Sequence, residues 1–176
     1  GDNSWVGDGE ETESIISCYD SLTKKWRVFG EADGIPTRNR MRGHITDDFL
    51  WCYGRDGGNR YDKETDTWTA YTEDEGFPAR WANAVVKDGT LLWWGTEPEG
   101  VCVYDELSGV WIDYGEEDGL LSEHVNEYAL VGDEQYIWAG TENGLSRYDK
   151  SRDLWITFVR PESIADRAVI AVEADE

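Results

Sequence analysis

Tyr136-Ile137-Trp138-Ala139-Gly140-Thr141-Glu142-Asn143-Gly144-Leu145-Ser146-Arg147-Tyr148-Asp149 is the stretch that decides how the chain is read. Tyr136 to Gly140 is short and aromatic-rich, the composition of a strand. Thr141 to Gly144 is turn chemistry, and Asn-Gly is the strongest short-range hairpin signal. Leu145 to Tyr148 returns as a second strand. The polar run from Asp149 to Asp153 turns the chain again, and Trp155 to Phe158 forms a third strand.

The phrase recurs outward from there. Tyr19-Asp20, Tyr61-Asp62, Tyr104-Asp105 and Tyr148-Asp149 are each followed by a tryptophan seven residues after the tyrosine. Those tryptophans, Trp26, Trp68, Trp111 and Trp155, lie 42, 43 and 44 residues apart. Beyond each comes another aromatic: Phe29, Tyr71, Tyr114 and Phe158. A period of this length with fixed aromatics marks a repeat architecture. Asp20, Asp62 and Asp105 are each followed by Thr23, Thr65 or Ser108, where the fourth repeat has Arg152. Such short polar side chains hydrogen-bond their own backbone and hold a turn. The next position, Lys24, Asp66, Gly109 or Asp153, is expected in a left-handed conformation, which Gly and Asp tolerate best.

After each third strand comes a loop: Gly34-Ile35-Pro36, Gly76-Phe77-Pro78 and Gly119-Leu120-Leu121, with Ser163-Ile164-Ala165 in the last repeat. A fourth strand follows, as in Val125 to Val131 or Val169 to Glu173, and acidic turns such as Asp88-Gly89 lead onward. Four antiparallel strands in about 43 residues describe one blade of a β-propeller. A helical solenoid of this period would need amphipathic helices, and no stretch has that pattern.

Leu92-Trp93-Trp94-Gly95-Thr96, Ile137-Trp138-Ala139-Gly140-Thr141 and Gly144-Leu145-Ser146-Arg147-Tyr148-Asp149 resemble the two-component-regulator propeller repeat. The resemblance covers essentially the whole chain. It implies a propeller, and it implies an extracellular or periplasmic setting, since such repeats occur in extracytoplasmic sensor domains and surface propellers. Two departures stand out. Trp51-Cys52-Tyr53-Gly54 carries one extra residue between Trp and Gly, and an acidic loop, Asp8 to Glu13, is inserted between the first two strands.

The expected fold is therefore all-β: a β-propeller of four four-stranded antiparallel blades in a single domain, 1–176. The blades are expected at 1–29 plus 165–176, 38–71, 80–114 and 123–158. The segment at the C-terminal end matches an inner strand, so it is expected to close the first blade and remove an exposed edge. Half of an eight-bladed ring and a fragment of a longer array are the alternatives. Small residues for tight blade wedges are Gly43, Ala82, Ala84, Ala129, Ala168 and Ala171.

Composition narrows the function. Ten tryptophans, nine tyrosines and 39% hydrophobic residues can supply a core. A formal net charge of −22 repels nucleic acid and anionic lipid. No run approaches the length of a membrane helix, so membrane insertion is not expected. The three cysteines, Cys18, Cys52 and Cys102, lie in apolar stretches and read as buried free thiols. His44 and His124 lack ligand spacing, and no calcium-loop, phosphate-loop or nucleophile-elbow pattern occurs. No catalytic residue, metal or cofactor is expected.

One constellation faces function. The residues four places after Gly34, Gly76, Gly119 and Ser163 are Arg38, Arg80, Glu123 and Arg167. The next are Asn39, Trp81, His124 and Ala168. Equivalent positions in different blades converge at the rim of the axis. The candidate ligand-binding residues are thus Arg38, Asn39, Arg80, Trp81, Glu123, His124 and Arg167. Arginines suit bidentate recognition of carboxylate or sulfate, and Trp81 offers a stacking face. The plainer reading pairs the arginines with loop acids such as Glu31, Asp33, Glu75 and Glu116. The expected role is a non-catalytic binding or scaffolding propeller that recognises a protein or an anionic carbohydrate at the channel mouth. A structural subunit of a larger ring or filament, built as a homo-oligomer, comes second. A lyase or hydrolase comes third.

Overall fold

The computed structural model describes residues 3–10, 13–20, 23–33, 35, 42–46, 48–158 and 169. The chain divides into two compact units, Gly1–Glu75 and Gly76–Glu176. Among the described residues each repeat folds as an antiparallel sheet whose strands pair in sequence order.

The first unit holds two sheets. One contains β1 (Asn3–Glu10), β2 (Glu13–Asp20) and β3 (Lys25–Phe29), in that spatial order. Its expected fourth strand falls in 165–176, where only Val169 belongs to the described residues. The other contains β4 (Arg42–Ile45), β5 (Phe49–Gly54), β6 (Gly57–Asp62) and β7 (Thr67–Thr72). The two sheets share a core of Ile16, Cys18, Phe29, Ile35, Leu50, Cys52 and Tyr61. Phe29 lies 5.4 Å from the Tyr61 ring and 5.5 Å from the Trp68 ring.

Two expectations change in this unit. Asp8 to Glu10 and Glu13 belong to strands, since β1 and β2 remain in register down to the pair Glu10 and Glu13. Nor does β5 carry an extra residue. Trp51 pairs with Arg60 as Trp138 pairs with Arg147, so Tyr53 occupies the place of Gly140. Gly57 faces the tight turn this creates: at φ 115° a side chain there would meet the Tyr71 carbonyl at 2.1 Å.

The second unit holds two complete four-stranded sheets. β8 (Trp81–Asp88), β9 (Leu91–Glu97), β10 (Val101–Asp105) and β11 (Val110–Tyr114) form one. β12 (Val125–Gly132), β13 (Tyr136–Thr141), β14 (Gly144–Asp149) and β15 (Leu154–Phe158) form the other. Trp93, Val103, Leu120, Val125, Ile137, Tyr148 and Trp155 belong to the core between them. The sheets approach closely where β12 begins. A Cβ on Gly95 would lie 2.6 Å from Val125 Cγ1, and the Asn83 amide donates to the Val125 carbonyl at 2.9 Å. The same joint recurs one repeat later. Gly140 faces Val169, and Asn126 donates to the Val169 carbonyl at 3.0 Å.

The repeated phrase now has a physical account. Tyr19, Tyr61, Tyr104 and Tyr148 sit directly across the ladder from Trp26, Trp68, Trp111 and Trp155, with ring centroids 5.1, 5.1, 4.8 and 5.4 Å apart. Cross-strand aromatic pairs of this kind stabilise a sheet face. The following aspartate closes the turn. Asp62 accepts from the Glu64 and Thr65 amides, Asp105 from Leu107, and Asp149 from Ser151 and Arg152. The left-handed residue falls where the sequence places it: Lys24, Asp66, Gly109 and Asp153 have φ of 58°, 58°, 70° and 54°. The tryptophans are not uniformly core, however. Trp155 is 5% exposed and Trp26 is 58% exposed. Of the expected wedge residues, Ala82, Ala84 and Ala129 are buried and Gly43 is exposed, while Ala168 and Ala171 lie outside the described residues.

Candidate functional site

Each third strand runs into a loop of common design. Single turns of 3-10 helix at Glu31–Asp33, Glu73–Glu75 and Glu116–Asp118 follow β3, β7 and β11. In each, the last acid folds back on the backbone that starts the turn: Asp33 on the Gly30 amide, Glu75 on Thr72 and Asp118 on Gly115. Gly76 and Gly119, with φ of 83° and 98°, then reverse the chain, a conformation glycine adopts without strain. Ile35, Phe77 and Leu120 plug into the cores. Phe77 packs edge-on against Trp94 and Trp111, at 5.5 and 5.3 Å. The loop thereby delivers the next residues to one end of the following sheet.

In the second unit that end can be built residue by residue. Arg80 is exposed and Trp81 half-buried at the start of β8, where Trp81 pairs with Glu97 at the end of β9. The Arg80 amide donates to the Glu99 carboxylate at 3.3 Å. Glu123 and His124 precede β12, and the Glu123 carbonyl accepts from the Gly100 amide at 2.9 Å. The His124 imidazole Nε2 lies 3.5 Å from Glu97 Oε2. The Glu142 amide donates to the His124 carbonyl at 3.3 Å, and Ser122 donates to the Glu142 carboxylate. The hairpin tip from Glu97 to Gly100 thus joins both pairs of candidate residues.

The structure brings together Arg80, Trp81, Glu123 and His124. Arg38, Asn39 and Arg167 lie outside the described residues. Among the described residues no ion pair engages the Arg80 guanidinium, whereas Asp33, Glu75 and Asp118 fold back on their own turns. Sequence reasoning missed Glu97, Glu99 and Glu142, which add carboxylates to the same end. A signal was present: Gly95-Thr96-Glu97 and Gly140-Thr141-Glu142 repeat in register. Thr96 and Thr141, both fully buried, donate to the Gly100 and Gly144 carbonyls and lock the two hairpin tips. The resulting chemistry is mixed: one aromatic face, one guanidinium, one imidazole and several hydroxyl-accepting carboxylates.

Trp94 is fully buried and offers no stacking face. Cys18, Cys52 and Cys102 are buried. Burial pushes the Cys52 thiol up to about 12 and Cys102 higher still, away from the thiolate that nucleophilic chemistry needs.

No family model and no curated protein matches the chain. Solved structures do. The extracellular domain assigned to a hybrid two-component system, BT3049, of B. thetaiotaomicron superposes with a TM-score of 0.65 at 15% identity, over 88% of this chain and 22% of that one. The extracellular domain assigned to BT4673 of the same organism gives 0.55 at 19% identity, over 95% and 22%. The computationally designed protein Ika8 gives 0.62 at 13% identity, over 99% and 50%. At these identities the likeness is one of fold. Several four-stranded antiparallel sheets match part of a propeller, and the chain spans 22% of the extracellular domains it matches.

Proposed function

We propose that this chain is a ligand-recognition part of a propeller that works outside the cytoplasm and binds without catalysis. The ligand is an acidic glycan or a protein, held at the end where the inner strands begin. The observation that carries this reading is the meeting of Arg80, Trp81, Glu123 and His124 at one end of the second unit, with the Arg80 guanidinium outside any ion pair among the described residues. A guanidinium recognises a carboxylate or sulfate by paired hydrogen bonds, and an indole face stacks on a sugar ring. The neighbouring carboxylates accept hydroxyl donors. The extracellular character of the matched domains supports the location. The proposal includes a fourth strand for the first sheet, drawn from the segment around Val169, which takes the seat on β13 that Val125 takes on β9.

A panel of neutral, carboxylated and sulfated oligosaccharides, titrated calorimetrically, tests the reading. An acidic member should bind, weaken as salt rises, and lose tenfold or more affinity in Arg80→Ala and in Trp81→Ala. Equal binding of neutral and acidic sugars, untouched by either substitution, would sink it.

A further inference from the structure

β8 and β12 pack side by side in the second unit, and they begin alike. Trp81-Ala82-Asn83 and His124-Val125-Asn126 hold the same register, and Asn83 and Asn126 each donate a side-chain amide to a backbone carbonyl, 42 and 43 residues further on. The strands then diverge. On β8 the step from the pair Ala82 and Thr96 to the pair Ala84 and Gly95 carries one extra residue. On β12 the step from Val125 and Thr141 to Leu130 and Ala139 carries three. Ala84 and Ala129 are equivalent again, lying 3.5 and 2.9 Å from a Cβ built on Gly95 and Gly140. The two residues that β12 adds are therefore Glu127 and Tyr128.

That insertion is a β-bulge, a device that re-aims a side chain. Tyr128 has φ 58°, where the Cβ of an L-residue crowds the following carbonyl and bulky residues rarely sit. Lys24, Asp56, Asp66 and Asp153, the other described non-glycine residues with positive φ, lie in turns, whereas Tyr128 lies within a strand. Glycine or asparagine would meet the same backbone demand at less cost. Nor does burial offset the strain, since Tyr128 is 54% exposed. An exposed aromatic held in a strained conformation points to something that it touches.

We infer that Tyr128 is a stacking platform for a neutral sugar ring of a glycan whose acidic sugar lies at Arg80 and Trp81. The inference rests on the reading of that end as a site for an acidic glycan. A phenol offers an apolar face and one hydroxyl, which suits the C–H face and hydroxyl rim of a pyranose. The sugar at Tyr128 is neutral because Glu123 and Glu127 flank it in the chain, Glu127 exposed beside it. Their charge opposes a second anionic sugar, and their oxygens accept from hydroxyl groups. Reach agrees. Four residues separate Tyr128 from His124, at most about 14 Å of chain, so one oligosaccharide can meet both.

Calorimetric titration with three probes tests this: glucuronic acid, neutral hexose oligosaccharides, and oligosaccharides that alternate glucuronate with a neutral hexose. The unaltered chain should bind the alternating probe about fivefold to tenfold more tightly than glucuronic acid, the advantage a stacked ring supplies. Tyr128→Ala should erase that advantage and leave the binding of glucuronic acid as before. Tyr128→Phe should keep it, and Arg80→Ala should weaken both acidic probes. An advantage that survives Tyr128→Ala overturns the inference and leaves the acidic-glycan reading standing. Equal weakening of glucuronic acid and the alternating probe by Tyr128→Ala overturns it too, since the residue then only supports the fold. Neutral oligosaccharides bound through Tyr128 and indifferent to Arg80→Ala would uphold the platform and sink the acidic reading. Binding of none of the three probes overturns both.

Discussion

Gly95→Ala is the sharpest test of how the sheets of the second unit meet. The added Cβ would stand 2.6 Å from Val125 Cγ1, 3.2 Å from Val125 Cβ and 3.5 Å from Ala84 Cβ. Carbon atoms pack best at about 3.5–4.0 Å, so the first contact is about 1 Å too short. Val125 is fully buried and β-branched, and it cannot rotate away cheaply. Retreat of β12 would break the 2.9 Å bond from Asn83 to the Val125 carbonyl. Overpacking of this kind costs about 1–3 kcal/mol. Replacing a strand glycine returns about 0.5–1 kcal/mol of chain entropy. The net loss is about 1–2 kcal/mol, or a fall of about 5–15 °C in the melting of a unit this size. Val125→Ala alone removes two buried methyl groups and costs about 2 kcal/mol. In the double variant the new methyl group fills the space just vacated. The combined loss should therefore fall short of the sum by at least about 1 kcal/mol, read by near-ultraviolet circular dichroism during urea and thermal unfolding. Gly30→Ala, with nothing within 4 Å of its added Cβ, should be neutral to within about 0.5 kcal/mol. Gly95→Ala melting with the unaltered chain, or strictly additive losses in the double variant, would refute the close approach.

Other outcomes follow from the same geometry. Asn83→Ala should cost about 1–3 kcal/mol, because the buried Val125 carbonyl loses its amide donor, and hydrogen exchange at the start of β12 should accelerate. Asp62, Asp105 and Asp149 are held below the usual carboxylate range: backbone amides are the main cause at Asp62, and side-chain hydroxyls at Asp105 and Asp149. A depressed folded value gives stability that is present above the unfolded pKa of about 3.9 and lost as pH falls through the folded value. The triple variant carrying asparagine at these positions should show a shallower fall of melting temperature between about pH 4 and pH 2, and parallel curves would count against the turn aspartates. Burial and the hydrogen bond to Asp66 push the Tyr61 hydroxyl up to about 12, so Asp66→Asn should bring its alkaline titration, followed by ultraviolet absorbance, to lower pH. The three thiols should resist a disulfide reagent in the native chain and react fully in denaturant; rapid native labelling would contradict their burial.

Much of the fold was legible because its signals are local. Trp26, Trp68, Trp111 and Trp155 each stand opposite a tyrosine, and a two-residue-period strand with a short turn makes that pairing a matter of spacing alone. The left-handed turn position was equally readable, since backbone sterics choose Asp and Gly there. The register after the loop glycines pointed to Arg80, Trp81, Glu123 and His124, and each of the two pairs contacts the Glu97–Gly100 hairpin tip. Glu97, Glu99 and Glu142 were missed because they sit on hairpin tips, far from the loop in sequence, and reach the site through cross-strand pairing.

The sequence by itself determined the repeat, the strand order within each sheet, the turn chemistry and the identity of the aromatic pairs. Turn chemistry and aromatic pairing depend on near neighbours in the chain, and the repeat on their recurrence every 42 to 44 residues. Tertiary structure alone decided which aromatics become core. Trp155 and Trp26 occupy equivalent places, and only the sheet packed against Trp155 makes it buried. It also decided why Gly95 and Gly140 must be glycine: each is the floor on which a residue from the following repeat rests. Exposure and close approach belong to surfaces brought together by packing, and no local pattern encodes what will lie across from a side chain.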